Sequence, residues 1–334
     1  MGITTKELAK ICGVSRTTVH RALTDTGRIN PQTKDAILKA AKDYDYRPDL
    51  LARGLVKGQT FYIGVIVLDV NNRYFAQMLN AIEMEARKHG YFINIALHEN
   101  NKAMEKEQII RLADYRVDGM ILSSVNQGQE YKDFLNSFDI PIVTIDNKVA
   151  EGIPFVGIKE REAAREAVRR ILGKGYEKMV FVCPPLSDRY KENIYVHEQR
   201  LEGFNEAMRQ YPDREAVVID KKDNLKLCAG QLEDSKRTAF FCSGDIFALE
   251  LMKYLKSKGL ASPADYGIMG FDNIDTLEYV TPRLSTIDNS AERVATTAVN
   301  LLFELINKEK TETKRILDFA IVEGETITAQ AETR

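Results

Sequence analysis

The sequence predicts an α/β protein with a small N-terminal helix-turn-helix head and a two-lobed core of parallel sheets. Three observations predict it. Residues 4–23 carry the capping, turn and apolar signals of two short helices joined tightly. From residue 61, short apolar runs alternate with helical stretches, the pattern of βαβ units with helices on both sheet faces. That alternation runs as two blocks in tandem, which implies two similar lobes, although no strong residue-level repeat relates them.

The head is read residue by residue. Thr4 and Glu7 have the spacing of a capping box. Leu8, Ile11 and Cys12 fall on one helical face. Gly13 supplies the positive φ of a tight interhelical turn, and Ser15 caps the second helix. Val14, Val19 and Leu23 pack back on the first helix. Arg16, Thr17, Thr18, His20 and Arg21 are left on or near the open face. Polar side chains of mixed length there can hydrogen-bond base edges and phosphates of duplex DNA. The alternative is a plain three-helix unit with a solvated face. A third helix opens with Asn30 as cap and Pro31 at its first position, with Ile37, Ala40 and Ala41 on its apolar side. Residues 48–57 read as a short helix with Leu55 aimed outward.

Charge favours the DNA reading. Residues 1–60 hold eleven Lys and Arg against six acids, a net charge of +5. The whole chain has 47 basic and 49 acidic residues, so 36 basic and 43 acidic ones remain beyond the head. A basic head on an acidic body suits phosphate contact by the head alone.

The core follows in order. Tyr62–Leu68 is a continuous apolar run, as in a strand covered on both faces. A helix over Tyr74–His89 stops at Gly90, and Phe92–Leu97 is the next strand. A helix around Glu105–Tyr115 leads to strands at Gly119–Ser123 and Pro141–Ile145. The alternation restarts with Ala163–Gly173, Met179–Cys183, Glu198–Tyr211, Val217–Ile219, Thr238–Cys242, Phe247–Lys258 and Tyr266–Phe271.

Other function classes lack their signals. At 334 residues, 44% hydrophobic and 29% charged, the chain suits a globular protein of two or three domains. No apolar run reaches the ~18 residues of a membrane span, and no signal-peptide pattern opens the chain, so a cytoplasmic protein is expected. Cys12, Cys183, Cys228 and Cys242 have no metal-ligand spacing, nor do the four histidines. No phosphate loop, dinucleotide fingerprint or nucleophile elbow occurs. No cofactor, metal or catalytic residue is expected, and the chain is not read as an enzyme.

Ligands of open α/β sheets bind beyond the carboxyl ends of the strands, and two lobes place those ends across a cleft. Asp69, Asn71, Asn72, Tyr74 and Phe75 stand there, with Ser123, Ser124, Gly244, Asp245, Asp272 and Asn273. Arg200 opens the helix Arg200-Leu201-Glu202-Gly203-Phe204. Carboxylates accept hydroxyl hydrogen bonds, a guanidinium donates several, and an aromatic face covers an apolar side, so the set suits a small polyhydroxylated molecule. Strand-end capping is the alternative for the Asp and Asn residues.

These motifs resemble the lactose-repressor (LacI/GalR) family of bacterial transcription regulators. The matching positions are Leu8-Ala9, Gly13-Val14-Ser15, Thr18-Val19-His20-Arg21, Arg47-Pro48, Ala52-Arg53-Gly54-Leu55, Arg-Leu-x-Gly-Phe at Arg200 and Gly270-Phe271-Asp272-Asn273. The likeness runs in order over nearly the whole chain. It departs from common family choices at His20, Thr24, Asp49, Lys159-Glu160 and Gly244. The resemblance implies a head at 1–47, a hinge helix and linker at 48–60, and a periplasmic-binding-protein-like core at 61–334. The chain would cross between lobes three times, giving lobe one about 61–160 and 289–319 and lobe two about 161–288 and 320–334. Candidate DNA contacts are Thr4, Arg16, Thr17, Thr18, His20, Arg21 and Arg28, with Ala52, Arg53 and Leu55 in the hinge. Leu55 would wedge into the minor groove. Candidate effector contacts are Asp69, Tyr74, Phe75, Ser123, Arg200, Asp245 and Asp272. Ile194 and Val196 stand where purine-sensing members have polar ligands, so a sugar or phosphosugar effector is preferred to a purine.

The expected protein is a homodimeric repressor on a near-palindromic double-stranded operator, with no membrane partner. A sugar receptor without a DNA role and a Rossmann-like sugar-active enzyme are the rivals.

Overall fold

A computed structural model describes residues 3–47, 58–186, 192–232 and 235–329. Two compact units divide between Thr60 and Phe61.

The first unit is three helices: α1 (Thr5–Ile11), α2 (Arg16–Thr24) and α3 (Pro31–Asp43). The capping box forms, with Glu7 N–H donating to Thr4 Oγ1 at 3.3 Å and Thr4 N–H to Glu7 Oε2 at 2.7 Å. Gly13 takes φ 64° in the turn. Ser15 Oγ accepts from Thr18 N–H at 3.1 Å, and Asn30 Oδ1 from Gln32 N–H at 2.9 Å. Leu8, Ala9, Val19, Ala22 and Ile37 make the core, with Cys12, Val14, Leu23, Ala40 and Ala41 packed at its edge. Ile11 departs from expectation and is exposed. It closes a helix of only seven residues, and Ala9 takes the inward place instead.

The second unit contains two parallel sheets. The larger has strands β1 (Tyr62–Val67), β2 (Phe92–Leu97), β3 (Gly119–Leu122), β4 (Ile142–Ile145), β5 (Phe155–Ile158) and β11 (Lys314–Leu317), in the order β11-β5-β4-β3-β1-β2. The smaller has β6 (Lys178–Val182), β7 (Glu215–Ile219), β8 (Thr238–Cys242) and β9 (Gly267–Met269), in the order β7-β6-β8-β9. Every pairing within these sheets is parallel. The strands β10 (Thr286–Asp288) and β12 (Ala320–Val322) pair antiparallel. The chain thus leaves the larger sheet after β5, returns for β11 and leaves again at β12.

The helices differ from the predicted bounds where polar caps set them. The helix α4 (Arg73–Lys88) starts at Asn72, whose Oδ1 accepts from Tyr74 N–H. The helix α5 (Lys102–Asp114) starts at Asn101, which caps Ala103 and Met104. Then follow α6 (Gln129–Asn136), α7 (Glu160–Leu172), α8 (Tyr195–Met208), α9 (Asn224–Gly230), α10 (Asp245–Ser257) and α11 (Ala291–Ile306). The sequence reading did not resolve α6, α9 or α11. Among them α11 matters most. Val294, Ala295, Ala298, Val299, Leu301 and Leu302 bury its face against the larger sheet. A Cβ on Gly119 of β3 would stand 2.8 Å from Leu302, so the glycine lets this helix approach.

Candidate functional sites: recognition helix and interlobe cleft

On the head, α2 presents Arg16, Thr17, His20 and Arg21 to solvent. Thr18 is half-buried, and its hydroxyl bonds Ser15 Oγ at 2.9 Å. The stem of Arg21 passes over Gly27, where a Cβ would meet its Cδ at 3.5 Å. Arg28 and Thr4 are exposed, though the Thr4 hydroxyl is tied to Glu7. Ala52, Arg53 and Leu55, the expected hinge contacts, lie outside the described residues.

In the core, a cavity of about 280 Å³ opens between the carboxyl ends of the two sheets. Arg200, in the second turn of α8, is on its wall. Its Nε donates to Glu160 Oε2 at 2.7 Å and one terminal nitrogen donates to the Ser243 carbonyl at 2.8 Å. Its Cζ lies 3.5 Å from the Phe271 ring centroid, and Asp272 Oδ1 is 3.7 Å away. Both Arg200 and Glu160 are buried. Asp272 sits at φ 115° just past β9 and accepts from Asn289 Nδ2 at 2.9 Å. Burial pushes its carboxyl well above the usual range; Arg200 opposes this, while Asp245, Glu160 and Asp146 reinforce it.

The lobe-one wall carries the candidates Tyr74, Phe75 and Ser123. Tyr74 O–H donates to Asp146 Oδ1 at 2.7 Å, and the Tyr74 and Phe75 rings meet edge to face. Asp146 follows β4 at φ 58°. Its Oδ2 is shut off from solvent and has no hydrogen-bond partner among the described residues. Burial lifts this carboxyl to about 6, with Glu160 adding and Tyr74 and Arg200 opposing. His98 accepts the Asn100 amide at Nδ1, so its Nε2 donates to the Ser123 carbonyl at 3.0 Å. His197 Nδ1 bonds Ser243 Oγ at 2.7 Å, and burial beside Arg200 lowers its pKa to about 3. Both imidazoles are therefore neutral near pH 7.

Two expected contacts are corrected. Asp69 does not line the cavity: its Oδ1 accepts the Asn71 and Asn72 amides, both at 2.8 Å, as a local turn former. Asp245 does not line it either. It is the first residue of α10, fully buried, and accepts from Thr286 Oγ1 at 2.6 Å and Ile274 N–H at 3.0 Å. It ties three chain segments together behind the cleft. Sequence reasoning missed Asp146, Glu160, His197, Asn147 and Asn193. The strand-end rule that found Ser123 points equally to Asp146, one residue past β4.

The segment Asn193–Val196 lines the same cavity and docks on lobe one. Asn193 N–H donates to the Val125 carbonyl at 2.8 Å, and its Nδ2 reaches the Asn126 and Lys148 carbonyls at 3.1 and 3.2 Å. Val196 N–H reaches Asn147 Oδ1 at 3.3 Å. Beside Tyr74, Arg73 grips Asp275 with two hydrogen bonds of 2.7 and 2.5 Å.

Comparison with known proteins agrees with this arrangement. Residues 4–49 match the family described as bacterial regulatory proteins, lacI family, and residues 168–327 match a periplasmic binding protein-like domain. The HTH-type transcriptional repressor PurR of Haemophilus influenzae (strain PittEE) is 30% identical over 311 residues, 91% of each chain. Catabolite control protein A of Priestia megaterium is 27% identical over 92% of this chain and 94% of its own. The lac repressor dimer bound to operator and the anti-inducer ONPF has a similar fold, with TM-score 0.85 at 20% identity over 98% of this chain and all of that one. A LacI-type regulator from Alkaliphilus metalliredigens QYMF, complexed with D-xylulofuranose, gives TM-score 0.69 at 27% identity over 80% and 99% of the two chains. By its head, its two-lobed core and these relatives, the chain belongs to the lacI family of bacterial regulatory proteins.

Proposed function

We propose that this chain is a sequence-specific transcription repressor whose operator affinity is set by a small carbohydrate-like effector held between the lobes. One observation carries the reading: a single chain joins an open, polar recognition helix to a cleft with an aromatic wall, a buried guanidinium and three acids. The named relatives are transcription regulators, which sets aside the enzyme and DNA-free receptor readings. The sugar in the 27%-identical structure supports the effector class. Ile194 and Val196 on the cavity wall offer a purine no hydrogen bond from their side chains.

Arg16 and Thr17 read base edges, while Arg21 and Arg28 hold phosphates. Two heads on a homodimer read two half-sites in adjacent major grooves. Lobe one supplies the dimer surface: Met84 of α4 and Phe92 and Ile95 of the edge strand β2 are large, apolar and exposed. The protein acts in the cytoplasm; no described helix is long and apolar enough to cross a membrane.

Selection of genomic fragments on the full chain, followed by gel-shift with and without a sugar panel, tests the proposal. A near-palindromic motif whose shift responds to one sugar is expected. No selected motif, or binding indifferent to every ligand that stabilises the core, overturns it.

A further inference from the structure

We infer that Glu105 is a positioning residue of the cleft: from inside lobe one it fixes the turn on which lobe two docks. Glu105 lies in the first turn of α5 and is fully buried behind the cavity wall. Its carboxylate collects donors from the turn after β3. Oε2 accepts from Val125 N–H at 2.7 Å, and Oε1 from Ser124 O–H at 2.7 Å and Asn126 Nδ2 at 2.9 Å. Tyr131 O–H of α6 donates to the same Oε1. His98 extends the hold by one residue: its Nε2 donates to the Ser123 carbonyl and stands 3.8 Å from Glu105 Oε2. Every residue from Ser123 to Asn126 is thus held from within lobe one.

The same turn faces lobe two. Ser123, Ser124 and Val125 line the cleft. The Val125 carbonyl accepts from Asn193 N–H at 2.8 Å, and the Asn126 carbonyl from Asn193 Nδ2 at 3.1 Å. Val125 is therefore gripped on both sides, by Glu105 at its N–H and by Asn193 at its carbonyl. Val125 and Asn126 belong to no helix or strand, so no backbone ladder aims their carbonyls. A buried carboxylate is a costly way to fill a core, and an apolar side chain carries no such cost. What the carboxylate adds is geometry, because a fully satisfied polar network holds one arrangement against others. Here that arrangement presents two carbonyls to the backbone and side-chain N–H groups of one asparagine.

Lobe closure on an effector would then depend on Glu105, a consequence that rests on the cleft being the effector site. The docking of Asn193 needs no ligand, so its test can fail while that reading stands.

The test is hydrogen–deuterium exchange on the full, ligand-free chain, resolved to the Val125 and Asn193 amides. Glu105→Gln keeps the shape but offers one acceptor oxygen and an NH2 group, so a donor meets a donor on one side of the site. Both amides should exchange about tenfold faster or more, as for the loss of one charged hydrogen bond. The amides of β8, a strand paired on both sides, should stay within about twofold, because the opening is local. Asn193→Ala is the converse. It should leave the Val125 amide protected, since Glu105 holds it without help from lobe two. If Glu105→Gln does not fold, Ser124→Ala removes one tether of the turn and should speed the Asn193 amide about threefold or more, with β8 unchanged. Unchanged exchange at Asn193 in the folded variant, or a rise shared equally by β8, overturns the inference. So does a Val125 amide freed as much by Asn193→Ala as by the lobe-one variant.

Discussion

Single residues in the cleft carry charge at a cost. Asp146 is lifted by burial to about 6, from an ordinary 3.8. Between those values the folded chain holds a proton that the unfolded chain has released. Stability from this group therefore falls as pH rises through that window and stays lower above it. Asp146→Asn should stabilise the protein at about pH 7.5 and change little at about pH 5, where the carboxyl is largely protonated. Melting curves at the two pH values check this; an equal gain at both would rule it out. Arg200 behaves differently, because it is one half of a buried pair. Arg200→Ala strands Glu160 beside Asp272 and should cost roughly 3–5 kcal/mol of stability. Asp272→Asn keeps the Asn289 contact possible and suits the positive φ, so it should lose effector binding with the fold intact. Urea titration of both variants separates them; equal stability would contradict the buried-pair argument. Arg200 and Asp272 were legible because they stand in motifs of the resembling family. Glu160 was not: the sequence shows it only as a departure, and its partner is 40 residues away.

At the scale of elements, α7 and α8 pack closely around one glycine. A Cβ on Gly203 would lie 2.1 Å from the Arg161 carbonyl oxygen and 3.0 Å from Ala164 Cβ. Helix propensity alone favours alanine over glycine by about 1 kcal/mol. Here the obstacle is backbone, which cannot rotate away, so Gly203→Ala should destabilise by roughly 1–3 kcal/mol. It should also weaken effector binding, because α7 begins at Glu160 and α8 carries Arg200. A variant as stable as wild type would show that the helices part at no cost. Apolar periodicity made most strands and helices legible, since each is covered in a regular way. Their ends were not, because caps such as Asn72 and Asn101 act through geometry that periodicity does not contain. Asp69 and Asp245 show the same limit. Both follow strands, yet one folds back on its own turn and the other lies inside a helix start. A strand-end position names candidates; only three-dimensional placement tells a pocket wall from a turn.

For the whole molecule, function rests on how the two lobes are held across the cleft. Two of the ties across it differ in their physical chemistry. Arg73–Asp275 is an ion pair with both side chains about half exposed, 50% and 43%. Such pairs contribute about 0–1 kcal/mol. Asn193 is buried, and its side chain donates to two lobe-one carbonyls that would otherwise lack these donors. Removing them costs about 0.5–1.5 kcal/mol each, more if the carbonyls stay dry. Asn193→Ala should therefore open the lobes more readily than Arg73→Ala. An effector that binds between closed lobes pays for closure from its own affinity, so its Kd should rise roughly five- to a hundredfold in Asn193→Ala and by no more than about fivefold in Arg73→Ala. Because coupling between two sites is reciprocal, operator affinity without effector should move in the same rank order. Its direction reports which lobe arrangement the DNA-bound form prefers. Calorimetry on the effector, small-angle scattering on the free variants and gel-shift on the operator read the three consequences. If Arg73→Ala has the larger effect, the exposed pair governs closure and the buried Asn193 contacts follow it; if neither variant changes effector affinity, the lobes do not close on the ligand.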